Sequence, residues 1–94
     1  MEELASLYRK TLKERIITLE SARERLQAGE ADVIEIIRDI VHKLKGSGST
    51  YGYPEITSKA EAIFEADQEI PVDRLDALLA VMRQVAFDED SSAS

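Results

Sequence analysis

Cysteine is absent from these 94 residues, and histidine occurs once. The first absence removes disulfides and thiolate metal sites, and the second leaves too few imidazoles for the usual zinc ligand sets. There is no run of about 18 apolar residues of the kind that spans a bilayer. Met1-Glu2-Glu3 is acidic where a secretory signal is basic and then apolar, so the expectation is a cytoplasmic protein without a membrane segment. Positive charge is scarce as well: 12 Lys and Arg stand against 19 Asp and Glu, a net charge of −7. Affinity for nucleic acid comes mostly from neutralising phosphates with Lys and Arg, so this balance argues against nucleic acid and for a protein partner. Strand signals are few and there is no internal repeat.

What is present is apolar spacing of helical period. An apolar content of 44% suits one domain around one core. A first helix is predicted over residues 2–28, with Leu4, Leu7, Tyr8, Leu12, Leu19, Ala22 and Leu26 on one side and Gly29 as its stop. Ile17 falls roughly 160° from that stripe. A second helix starts near Asp32, where Glu35 completes a capping-box pair, and runs through His42 into the serine and glycine stretch. Pro54 suits the first turn of a third helix, over residues 54–67, with Ile56, Ala60, Ile63 and Phe64 as its stripe. Pro71 precedes a fourth, which carries Leu75, Leu78, Leu79, Met82 and Val85. Short connections around Gly29, Gly52 and Ile70 make neighbours antiparallel, which predicts an all-α, up-down four-helix bundle over residues 1–88 and a disordered polar tail over 89–94. A monomer is expected.

The run His42-Lys43-Leu44-Lys45-Gly46-Ser47-Gly48-Ser49-Thr50-Tyr51-Gly52 holds the candidate site. The apolar positions around it, Val33, Ile36, Ile37, Ile40, Val41 and Leu44, point roughly 170° away from His42, so the imidazole faces water. Gly46, one turn on, costs roughly 1 kcal/mol against alanine on an exposed helix face. Its lack of a side chain leaves room over the ring for a phosphoryl group and an approaching surface; close helix packing or fraying is the plain alternative, and the stronger one for Gly48, which points inward. Lys45 reaches the same face, with Lys43 and Arg38 on either side, and an ammonium there would offset the charge of phosphoryl oxygens. Without the histidine these would be ordinary solvated charges. The glycines miss the G-x-G-x-x-G spacing, and they end a helix where a nucleotide fold needs them after a strand. Ser47 is directed elsewhere and no buried carboxylate is evident to orient the ring, so hydrolase chemistry is not expected; Asp39, three residues before His42, could hydrogen-bond the imidazole, but an exposed pair of that sort is usually worth little.

His42-x-Leu44-Lys45-Gly46-Ser47, followed by Gly52, resembles the phosphorylation-site motif of histidine-containing phosphotransfer (HPt) domains, the intermediates of two-component phosphorelays. The resemblance covers nearly the whole chain, because four helices with the histidine on the second is the arrangement that family implies. It implies that His42 is the phosphoacceptor, that Lys45 assists electrostatically and that Gly46 keeps the ring accessible, with no catalytic activity of the domain's own. Where the commonest family pattern has a small hydroxyl residue this chain has Gly48, and Ser49 either substitutes for it or has no part.

A neutral imidazole has one nitrogen free to attack, so it accepts a phosphoryl group without a dedicated base. The resemblance implies that donor and acceptor are aspartates of response-regulator receiver domains, whose Mg²⁺ and acidic residues stabilise the transition state, and that this chain needs no cofactor itself. A sensor histidine kinase is the other partner it implies. The expected docking surface has Ile17 as an apolar contact beside the His42 face, although a lone exposed isoleucine is common. Arg38, Lys43 and Lys45 would set orientation there, with Ser49 at the rim. Two other readings stand beside this one: the phosphoacceptor domain of a hybrid or chemotaxis-type kinase, and a helical adaptor in which His42 is only a surface residue.

Overall fold

The computed structural model describes residues 2–66 and 70–87, with side chains from Ser6 onward. Four helices follow in order: α1 (Glu2–Gln27), α2 (Val33–Ser47), α3 (Pro54–Phe64) and α4 (Val72–Ala86). No strand occurs among the described residues. The helices form a closed ring in which α1 packs on α2 and α4, and α3 packs on the same two. Every neighbouring pair is antiparallel. Tyr8, early in α1, reaches Ser47 at the end of α2, while Arg25 near the end of α1 meets Asp32 just before α2. On the other side, Arg23 bonds Asp76 and Arg83 bonds Glu20, tying α1 to α4 in opposite directions.

The core is wholly apolar among the described residues, with no polar or charged side chain buried. Helix α1 contributes Tyr8, Leu12, Ile16, Leu19 and Ala22, spaced by three or four residues and therefore on one face. Leu7, expected in that stripe, is instead 60% exposed, because it lies about 100° around the helix from Tyr8, at the rim of the groove between α1 and α2. Ile16, which that stripe did not include, is buried at 5%. Leu4 lies outside the described side chains. Helix α2 buries Val33, Ile37, Ile40, Val41 and Leu44, but Ile36, expected with them, sits at the edge of that face and is 40% exposed.

The connections explain where the helices stop. Gly29 has φ +93°, a left-handed conformation that strains any residue with a Cβ, and it ends α1 as its position predicts. The capping box at the start of α2 does not form: Asp32 is itself helical and makes no capping bond, and its carboxylate accepts from Arg25 Nη2 at 3.0 Å. Helix α3 starts at Pro54 as expected and ends at Phe64, shorter than the predicted span; Asp67 lies outside the described residues. Pro71 precedes α4, and Ile70 plugs the bottom of the core at 8% exposure. The predicted tail also lies outside the described residues.

Candidate functional site

Helix α2 buries one side, which leaves its opposite side as the outer wall of the bundle. His42 stands there exposed, with Asp39, Lys43 and Gly46. Gly46 is within the helix, and a Cβ built on it would meet nothing within 4 Å. Its missing side chain serves no packing contact inside the protein, so the space one turn above the imidazole is open.

Gly48 has the opposite surroundings. A Cβ there would lie 2.6 Å from Thr57 Oγ1, 2.8 Å from Thr57 N and 3.0 Å from the Tyr53 carbonyl, so its smallness is what lets α2 and α3 close on each other. Thr57 fills the gap and uses its hydroxyl fully. It accepts from the Ser49 backbone N–H at 2.8 Å and from Ser49 Oγ at 3.2 Å, and donates to the Lys45 carbonyl at 3.2 Å. Ser49 is thereby tied to α3 at the end of the site. Below it, Gly52 turns the chain with φ +89°, and the Tyr53 N–H closes the hairpin on the Gly48 carbonyl at 2.7 Å.

The half-buried side of the site faces α3. Arg38 and Lys45, one turn before and one turn after His42 on α2, both reach the ring of Phe64. The guanidinium carbon is 5.0 Å and the ammonium 4.8 Å from its centroid, within cation–π range. The imidazole itself lies 5.6 Å from the same centroid, tilted by 36°. Arg38, Lys45 and His42 are thus brought together, around a residue that periodicity assigned only to the α3 stripe.

Lys43 turns the other way. It pairs with Asp39 Oδ2 at 3.1 Å, and it lines a groove between α1 and α2 with Leu7, Thr11, Arg15 and Tyr51. The floor of this groove is Tyr8, stacked on Tyr51 at 4.4 Å with Tyr53 behind at 5.8 Å. Burial pushes the Tyr8 phenol above its ordinary value, and its hydrogen bond to Ser47 Oγ, 3.1 Å, only partly opposes that. Ile17 is exposed as predicted, at 69%, and shares a shallow groove with Ile36, Thr18 and Arg25. His42 is not part of that lining, and on α2 it points about 120° away from Ile36.

Sequence reasoning missed Phe64 and Thr57 as parts of the site. Neither has a local signal, because each reaches α2 only through the antiparallel pairing of α3. Among the described residues no group of three His, Cys, Asp or Glu side chains is placed to hold a metal ion. No helix among them is long and apolar enough to cross a membrane. Compared with protein-family models, the chain matches one described as "Hpt domain" over residues 3–87. The searches of curated proteins and of solved structures found no match.

Proposed function

The chain belongs to the Hpt domain family, phosphocarrier modules that pass phosphoryl groups through histidine in two-component systems, and from that premise we propose that His42 is its phosphoacceptor. The observation that carries the assignment is the open space at Gly46 above an outward-facing imidazole. A neutral ring nitrogen attacks the phosphorus of an aspartyl phosphate on a receiver domain. The acyl O–P bond breaks, its electron pair returns to the aspartate carboxylate, and an N–P bond forms while the second ring nitrogen keeps its proton. Transfer in the other direction retraces these steps. Mg²⁺ belongs to the receiver's site in this scheme, and the transferring phosphoryl oxygens meet Lys45 and Arg38 from this side.

The docking surface is the outer face of α2. Arg38 and Lys45 on the α3 side of His42, and Lys43, paired with Asp39, on the α1 side, place basic groups on both flanks of the imidazole of an acidic chain, complementary to a receiver's acidic pocket, with Ser49 at the upper rim. Ile17 offers a separate apolar contact on the α1 side, in the groove it shares with Ile36. In a cytoplasmic setting the partners are receiver domains and the kinases that feed them.

His42→Gln tests the assignment. The variant should keep its fold, since an exposed substitution changes stability by under about 0.5 kcal/mol, and should lose all acid-labile label from a phosphorylated receiver domain. Label that persists in the variant, or survives acid in the parent, overturns the assignment.

A further inference from the structure

Resting on the reading of His42 as phosphoacceptor, we infer that Phe64 is a positioning residue: its ring is a shelf that seats Arg38 and Lys45 and so presents two cations to one imidazole. Long basic side chains on an exposed helix ordinarily spread over many rotamers. Here both lie against one phenyl ring, at 5.0 and 4.8 Å, and that ring also flanks the imidazole. No ion pair of either cation with a carboxylate forms among the described residues, and Asp39, which on α2 faces neither of them, pairs with Lys43. Arg38 Nη1 is buried and meets no hydrogen-bond acceptor among the described residues.

The chemistry of the shelf matters. A carboxylate at this position would hold the same two side chains by cancelling the charge that a phosphoryl group needs. An aromatic face attracts cations through its quadrupole and leaves their charge intact. Two like charges on one ring also repel each other, and an arriving dianion relieves that repulsion. Phe64 therefore orders the cations before the phosphoryl group arrives without competing for them afterwards.

The test uses the full chain as wild type, Phe64→Leu, Phe64→Met and Phe64→Tyr, with phosphoramidate as the donor so that no partner surface intervenes. In proton NMR the Lys45 ε and Arg38 δ protons should be shifted upfield by the ring in wild type and Phe64→Tyr, and should return to ordinary positions in the Leu and Met variants. Phosphorus NMR should show His42 labelled about tenfold more slowly in those two, from about two- to fivefold for each lost cation–π contact, while Phe64→Tyr stays within about twofold of wild type. In a Lys45→Met background the additional loss from Phe64→Leu should shrink, which a purely structural role for the ring would not produce. Unshifted Lys45 and Arg38 protons in wild type overturn the inference. So does a folded Leu or Met variant labelled at the wild-type rate, or a Tyr variant as slow as Leu. Wild-type protein that takes up no label on His42 overturns the phosphoacceptor assignment itself, and this inference with it.

Discussion

Two glycines one turn-half apart on the same helix have opposite reasons to be glycine, and substitution should separate them. Gly46→Ala adds a methyl to open space on helical backbone, so stability should rise by a few tenths to about 1 kcal/mol. Gly48→Ala forces a methyl against the Thr57 backbone and should cost about 1–3 kcal/mol, a fall of several degrees in melting temperature. Thermal unfolding of the two variants checks both signs at once. In phosphotransfer, Gly46→Gln should obstruct the face above His42 although it leaves the fold intact. A third residue gives a pH dependence. Burial raises the Tyr8 phenol in the folded state, so the fold favours the protonated form. Its contribution is fully present below the unfolded value of about 10 and is lost as pH rises through the folded one. Urea midpoints should fall in that alkaline range, and less so in Tyr8→Phe. The positions of His42, Lys45 and Gly46 were legible from spacing alone because i+3 and i+4 neighbours share a helix face. Phe64 and Thr57 were not, since nothing in their own segment records which helix they will meet.

At the level of the helices, period located all four and capping chemistry located fewer of their ends. Asp32 and Glu35 match a capping box in sequence, yet Arg25 from the previous helix takes the Asp32 carboxylate, a competition between segments that a local motif cannot show. Asp32→Ala should therefore lower the melting temperature much less than Gly48→Ala does. The stripe of α1 erred in a related way. The buried face is rotated from the predicted mean direction, centred on Tyr8, Leu12 and Leu19, so Leu7 falls off one edge and Ile16 within the other. Inside α2 the expectation is firmer: Leu44 is 1% exposed beneath the site, and Leu44→Ala should cost about 2–5 kcal/mol by denaturant unfolding.

Across the whole molecule, a net charge of −7 coexists with three cations, Arg38, Lys43 and Lys45, close to His42 on α2, so the field that a partner meets depends on its direction of approach. Lys43→Glu should slow association with a receiver and flatten its dependence on salt, measured by stopped flow at several ionic strengths, with less effect on dissociation. The chain has one histidine, and it stands on the outer face of α2. On the proposed reading the protein is a carrier with a single berth, and whoever loads it must leave before whoever unloads it can arrive. Steady-state exchange between two receivers should then be ping-pong, giving parallel lines in double-reciprocal plots, and an excess of unphosphorylated acceptor should delay loading by occupying the berth. Intersecting lines would mean that donor and acceptor sit on the bundle together.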